Sequence, residues 1–569
     1  MRREHPPHYP MILSSVWRRS VGALLFSWFL MPSALWAAGA TAGERQTVVH
    51  GLTWIDWIVI VVYMVGVLYL GAHVAKRQST NAEYFTAAKT HISPFLVGIS
   101  HFAALLSTIS YLGAPGEMIY KGPAVLIGTV CSIPIAYFIV SYWIIPKIMA
   151  QRVTSAYELL ESRLGPTGRL MGAILFVKLR LVWMGLLVYV SATALSVILN
   201  IDLKWTPLVS FVIGIIPLIY ASMGGLRAVV IANVIQFFLL LLGAVLAIVI
   251  VTIRCGGFSW WPTTWSPHWD IQPVFSWDPY VRSTVFAAML STVIWRVCTA
   301  GGDQMAIQHY MATRDIKATR RSYFYTSLAA VVVLGVLGVL GLALLGFFTQ
   351  FPELAGEGMS VTKRADHLFP HFVSNLLPVG IAGLIVAAII AASSGMDTGV
   401  NAVTAVVMKD FVERFGWKAR NEDHRLKLTK YVSFGIGLAV VGASMLVKKV
   451  PGNFTEMTNK LANLETTTIF GLFFLALFVP CATSLGAVAG AVYGLTAASL
   501  VAFWDVITGR PAISFLYIGA VGLFFNLVAG YLVSRFGPRS ENVRGSLIGG
   551  VILFGGLAVA VALLISRAT

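Results

Sequence analysis

Apolar residues gather along this chain in runs of roughly twenty, separated by short polar stretches, and a run of that length predicts a helix that crosses a bilayer. Fourteen such segments are read, near 53–75, 92–119, 123–146, 168–199, 204–222, 227–252, 284–306, 323–349, 374–407, 428–447, 459–480, 484–505, 513–535 and 544–566. The ninth organises the rest. From Pro378 to Asp410 it is long enough to cross at about 1.5 Å per residue, yet its second half is polar. Ser394, Asp397, Thr398 and Asn401 recur at i, i+3, i+4 and i+7 and therefore share one helical face. Ahead of them Gly383, Ala387, Ala388, Ala391 and Ala392 are small, which lets a neighbouring backbone come close. A carboxylate inside a span faces a partner, a cavity or an ion path. A plainer account is a hydroxyl face bonded to another helix, with Asp397 near the water.

Two further segments carry helix-interrupting residues. The second has Ser107, Thr108 and Ser110 followed by Gly113, Pro115 and Gly116; the seventh has Thr299, Gly301 and Gly302 followed by Asp303 and Gln304. Glycine and proline break the main-chain ladder, and the freed amides and carbonyls then need partners. Broken spans at matched positions of two halves point to a transporter's central site. Lying five segments apart, these two predict inverted five-helix repeats over 92–252 and 284–480. An extra amino-terminal helix (53–75) and carboxy-terminal helices (484–566) flank the repeats. The expected fold is an all-α polytopic membrane protein of about 14 transmembrane helices with broken first and sixth core helices.

The amino terminus reads as an address label. Arg2, Arg3, Arg18 and Arg19 precede an apolar run from Val21 to Trp36 and then the small residues Ala37, Ala38, Gly39 and Ala40. That order predicts a cleaved signal peptide over 1–40, with an uncleaved anchor as the alternative. Residues 41–569 then form one transporter domain whose start lies outside. Strict alternation places Lys76, Arg77, Lys147, Arg314, Lys317, Arg320, Arg321, Lys409, Arg414 and Arg425 in cytoplasmic loops, as the positive-inside rule asks. The opposite loops hold fewer basic residues, and the 256–283 loop is rich in Trp and Pro.

Composition agrees: 57% of residues are hydrophobic and 11% charged, with a mean hydropathy of +0.79. Loop lysines and arginines account for most of the net charge of +17, so the expected partners are lipid and a small solute and no nucleic acid. The four cysteines have no metal-ligand spacing and predict no disulfide framework. No HExxH, nucleophile elbow or paired-histidine cluster occurs in any span, which argues against an enzyme. Deep basic residues carry the solute signal. Lys178 and Arg180 lie well inside the fourth span and Arg296 inside the seventh. Such residues pair internally, for instance with Glu117, snorkel, or meet an anion. Arginine's planar fork suits a carboxylate, so an anionic solute, a monocarboxylate or an acidic sugar, is favoured over a neutral hexose. His101 reads as an interior histidine, with proton coupling as its alternative role.

Taken together, four motifs resemble the sodium:solute symporter family. They are Thr154, Tyr157, Glu158, Arg163 and Gly165 in TSAYELLESRLGPTGR; GGLRAV over 224–229 with Gln236; Gly302-Asp303-Gln304 with Gln308 and His309, where arginine is usual; and SSGMDTGVN over 393–401. The resemblance implies a sodium-coupled carrier working by alternating access, functional as a monomer in the cell (inner) membrane, with sodium as its coupling ion and no organic cofactor. Carried over by position, sodium would take carbonyls of Ala103, Leu106 and Ala391 and the hydroxyl of Ser394, while Gly395 stands where a second hydroxyl is usual. A second site would map to Asn233, Ser394, Asp397 and Thr398, with Asn233 where aspartate is usual. The solute would meet Ser107, Thr108, Ser110, Arg180, Arg296, Thr299 and Gln304. A neutral-sugar or amino-acid symporter, a proton-coupled carrier and a non-transporting sensor of the same fold are the alternatives.

Overall fold

The computed structural model describes residues 51–75, 93–151, 155–271, 273–392, 395–416, 421–445 and 454–537, of which 70–72, 74, 75, 203, 216–218, 220–228, 391, 392, 397, 454 and 461 are described as main chain only. Helices α1 (Trp54–Ala75), α2 (Pro94–Leu105), α3 (Thr108–Tyr120), α4 (Ala124–Met149), α5 (Ala156–Ile198) and α6 (Thr206–Arg254) make the first part of the chain. Then come α7 (Val285–Gly302), α8 (Gln304–Met311), α9 (Ile316–Gln350), α10 (Leu368–Leu376), α11 (Ile381–Ala392), α12 (Gly395–Val406), α13 (Glu422–Ser444), α14 (Phe454–Phe478), α15 (Ser484–Ala502) and α16 (Tyr517–Phe536). Among the described residues there is no strand. Nine of these helical stretches are long and apolar enough to cross a membrane, or ten with the bent pair α2–α3 as one span, and the protein is a multi-pass membrane protein. The expected signal peptide and the span near 544–566 lie outside the described residues.

Two elements differ from their expected form. The segments near 204–222 and 227–252 share one continuous helix, α6, of 49 residues; within it Val229–Arg254 alone is long enough to span, and Thr206–Ile215 is a shorter apolar stretch. In α5 the turn comes at Gly165 (φ 66°, ψ −173°), a conformation open to glycine at no Cβ cost, with Pro166 restarting the helix. Residues ahead of Gly165 therefore form a separate short helix.

Both interruptions exist, but neither sits at the glycines and proline. α3 runs straight through Pro115, and the first break falls earlier, at Leu106–Ser107, where α2 and α3 are bent by 64°. Gly116 serves close packing instead: a Cβ there would meet Asp366 at 2.1 Å. α7 likewise continues through Gly301 and Gly302 and breaks only at Asp303. A Cβ on Gly301 would lie 2.5 Å from the Phe470 ring, so this glycine lets α14 approach. Small residues that look like ladder-breakers are here contact points between helices.

The added helix α1 is anchored by one side chain. Asp56, 1% exposed, accepts the Gly380 and Gly383 amides on Oδ1 at 2.8 and 2.7 Å, and the Thr53 amide and hydroxyl on Oδ2 at 2.9 and 2.6 Å. It thus caps the start of α11 from another helix. At the far end of the same stretch, buried Asp410 accepts Ser155 Oγ at 2.6 Å and Arg169 Nε at 2.5 Å, which fixes the π-helical turn Val407–Val412 to α5.

Candidate functional site

The first break is built by Ser107. Its extended backbone (φ −111°, ψ 168°) and hydroxyl cap α3, accepting the Ser110 amide at 3.4 Å. The Leu106 amide is the last to bond back into α2, to Phe102 at 2.7 Å. No main-chain amide among the described residues bonds the carbonyls of Ala103, Ala104, Leu105 or Leu106. These carbonyls therefore lack a main-chain donor among the described residues, and groups of that sort must find another partner. Opposite them stands the start of α12. A Cβ on Gly395 would lie 3.5 Å from the Ala104 carbonyl. Ala391 ends α11 beside it. Ser394 lies outside the described residues, and Asp397 is described as main chain only.

Asn233 joins this region from α6. Fully buried, its amide group donates to Thr398 Oγ1 at 3.1 Å, to Ser100 Oγ at 3.3 Å and to the Ser100 carbonyl at 3.4 Å. Its Oδ1 is buried with no partner, and so are both polar atoms of Asn401. Thr398 and Asn401 are wholly inside, so this part of the polar face points inward. His309 Nε2 meets Ser100 Oγ at 3.3 Å, and its ring stacks on His101 at 4.9 Å. A small monovalent cation takes several oxygens, and neutral carbonyls supply them without piling up negative charge. The free carbonyls and the orphaned Asn233 oxygen fit that need. Among the described residues no cluster of three or more His, Cys, Asp or Glu could hold a metal.

Beside the break lies a cavity of about 220 Å³ between α2, α3, α4, α5, α7, α9 and α14. Of the residues named from the sequence for the solute, Ser110 and Arg296 line it, and Leu106 borders it from the ion side. The others are engaged elsewhere. Thr108 Oγ1 donates to the Ile389 carbonyl at 3.4 Å and accepts from Ser191 at 2.7 Å. Arg180 forms an ion pair with Asp303. Gln304 Oε1 accepts the Ala156 amide at 2.6 Å. Thr299 accepts the Asp303 amide on its carbonyl at 3.2 Å, and Ser107 is the cap already described. Lys178 pairs with Glu465 at 3.2 Å. Arg296 has neither ion pair nor hydrogen bond among the described residues, and its buried Nε has no partner.

Sequence reasoning missed the cluster at the cavity's mouth. Glu117, which lines the cavity, is held by Arg282 through two bonds, Nη1–Oε1 at 2.8 Å and Nη2–Oε2 at 3.0 Å. Arg282 also donates from Nε to Glu456 on α14 at 2.8 Å and lies 3.7 Å from Asp270. Burial works against its charge, but Glu117 and Glu456 outweigh burial and hold the guanidinium above its ordinary range. The cluster ties α3 to α14 and to the 255–283 connection. The signal available beforehand was Glu117 itself, a carboxylate one turn from the end of an apolar segment.

Residues 84–494, more than half of the chain, match the sodium:solute symporter family. The chain belongs to that family. This symporter is similar to the sodium/sialic acid symporter SiaT of Proteus mirabilis, 27% identical over 500 residues that cover 86% of this chain and 97% of the relative. It is also similar to the sodium/sialic acid symporter NanT of Aliivibrio fischeri, 28% identical over 496 residues, 86% of this chain and 94% of the relative. A solved Na+-coupled sialic acid symporter, in a substrate-bound outward-open state, shares the fold with a TM-score of 0.71 at 24% identity, over 85% of this chain and 98% of that one. A sodium:solute symporter is a carrier and not an enzyme. Its motifs acquire a physical meaning here. Tyr157 Oη donates to the Gly302 carbonyl at 3.4 Å. With Gln304 on Ala156 and Asp303 on Arg180, it braces the second break against α5.

Proposed function

We propose that this symporter couples sodium entry to the uptake of a small organic anion, an acidic sugar or a monocarboxylate, by alternating access. The observation that carries the reading is the row of carbonyls at Ala103–Leu106 that receive no main-chain amide among the described residues, facing the start of α12 and one helix away from the unpartnered Asn233 oxygen. Sodium, the co-transported cargo, would take carbonyls of Ala103, Leu106 and Ala391 with the Ser394 hydroxyl. Asn233, Asp397 and Thr398 would set the charge and polarity on the cytoplasmic side. Binding there steadies the bend between α2 and α3, whose outer half lines the cavity, so ion and solute raise each other's affinity.

The finer architecture belongs to the same reading. The ten spans, three shorter apolar helices (Trp54–Tyr69, Thr206–Ile215, Ile381–Ile390) and the 544–566 segment make fourteen crossings. Repeats over 92–252 and 284–480 are inverted about the membrane plane. The amino terminus lies outside after removal of residues 1–40, and the monomer is the working unit in the inner membrane. Uptake into proteoliposomes under an inward sodium gradient tests the function. Accumulation of an organic anion should require sodium, and Asp397→Ala should abolish the sodium stimulation. Equal uptake with sodium or choline outside would refute the coupling.

A further inference from the structure

Three cations were placed deep in the spans by the sequence, and the structure accounts for two of them. Lys178 is paired with Glu465 and Arg180 with Asp303. Glu117, the acid that lines the same cavity and could have served the third, is engaged by Arg282. Arg296 is left in the cavity wall with a buried, unpartnered Nε. A guanidinium half-buried among the spans and without an acid is costly, and a site keeps one where a ligand supplies the missing charge. One unmatched positive charge calls for one negative charge on the solute. The planar fork favours a carboxylate that takes two parallel hydrogen bonds.

The rest of the wall says what the carboxylate is attached to. Phe102, Leu105, Ile109, Trp183, Trp295 and Leu334 face the same cavity. Several of its polar neighbours are already engaged within the protein. Thr129 donates to the Val125 carbonyl at 2.7 Å, Asn459 Nδ2 donates to the Thr455 carbonyl at 2.9 Å, and Asn459 Oδ1 accepts from Asn463 at 3.1 Å. A polyhydroxylated acid needs donors and acceptors on most of its carbons, and the groups left for them in this wall are the hydroxyls of Ser110, Ser291 and Thr455 and the unpartnered Oδ1 of Asn463. An apolar body instead gains from burial against indole and aliphatic side chains.

We propose that Arg296 is the carboxylate anchor of this symporter, and that its solute is a monocarboxylate whose apolar body lies against Trp183 and Trp295. This rests on the symport reading of the same cavity and narrows it. The test uses the purified full-length chain with four probes: phenylacetate, phenylacetamide, N-acetylneuraminate and glucose. Sodium-dependent thermal shift reads binding, and proteoliposome uptake reads transport. Phenylacetate should raise the melting temperature in sodium, and the isosteric amide should not. Arg296→Gln should weaken phenylacetate at least about tenfold, the loss expected when one partner of a buried charge pair is removed, while keeping the stabilisation that sodium alone gives. Arg296→Lys should recover part of the affinity. Trp295→Ala, which keeps the guanidinium, should weaken phenylacetate while the discrimination against phenylacetamide remains. This second variant decides the matter if Arg296→Gln does not fold. The proposal is overturned if N-acetylneuraminate or glucose binds in place of phenylacetate, if none of the four binds, or if Arg296→Gln leaves phenylacetate affinity intact. Phenylacetate that binds through Arg296 but is not accumulated by a sodium gradient would refute the symport reading and leave the anchor standing.

Discussion

The two interrupted crossings are cut alike and finished differently. At Leu106–Ser107 the carbonyls of four successive residues receive no main-chain amide, and the residue that faces them on α12 is a glycine. At Asp303 the carboxylate caps α8 through the Met305 amide at 2.8 Å and pairs with Arg180, while the next residue, Gln304, holds the Ala156 amide. One interruption leaves its carbonyls without main-chain donors among the described residues. The other is closed by side chains of its own chain and serves as a brace against which the first can move. A break in a helix is therefore not by itself a site; what decides is whether the protein has already answered the groups it frees.

Cutting the brace should have the largest effect. Asp303→Ala leaves Arg180 buried without its acid, and about 3–5 kcal/mol of stability should be lost, read as a lower unfolding temperature in detergent. The double variant Arg180→Met with Asp303→Ala should lose less than Asp303→Ala alone, because no stranded charge remains. A smaller effect is expected where the outer half of the first break is tied down. Arg282→Ala frees buried Glu117 and partly exposed Glu456 together, at a cost of about 1–3 kcal/mol. Exchange of bound solute with the outside should quicken, and the difference from wild type should shrink as salt is raised. The gentlest change sharpens the contrast. Gly395→Ser places a hydroxyl toward the Ala104 carbonyl, where a Cβ would lie 3.5 Å from that oxygen and 3.3 Å from the end of the Leu187 side chain, which must give by a few tenths of an ångström. Half-saturating sodium for uptake should fall a few-fold, by less than about 1 kcal/mol of binding energy. At the braced break the Ala300 and Gly302 carbonyls are already taken by the Tyr310 and Tyr157 hydroxyls, so the same substitution there should have less effect.

The class of fold was legible because lipid imposes it: every span must satisfy its own backbone, so length and apolar content are enough to see it. Family membership was legible from four separated motifs. The positions of the breaks were not. Pro115, Gly116, Gly301 and Gly302 carried the expected breaker chemistry, yet each lies within a helix, and Gly116 and Gly301 stand where another element comes close. Closeness of that kind is a tertiary fact, set by Asp366 and Phe470 far along the chain. The deep cations illustrate the same limit. Lys178, Arg180 and Arg296 look equivalent in sequence, and only their neighbours distinguish them. Glu465 and Asp303, acids placed within or beside apolar segments, were the available clue to which two would be neutralised. Arg282 sits in a tryptophan-rich loop, and nothing local marks it as the partner of Glu117 more than a hundred and sixty residues earlier.

Asp56 gives the outermost helix a reach beyond its own position. Through one carboxylate, α1 holds the first turn of α11, the helix that leads into α12. A tag or a neighbouring protein that tugs on α1 would therefore pull on the start of α11 through that one carboxylate.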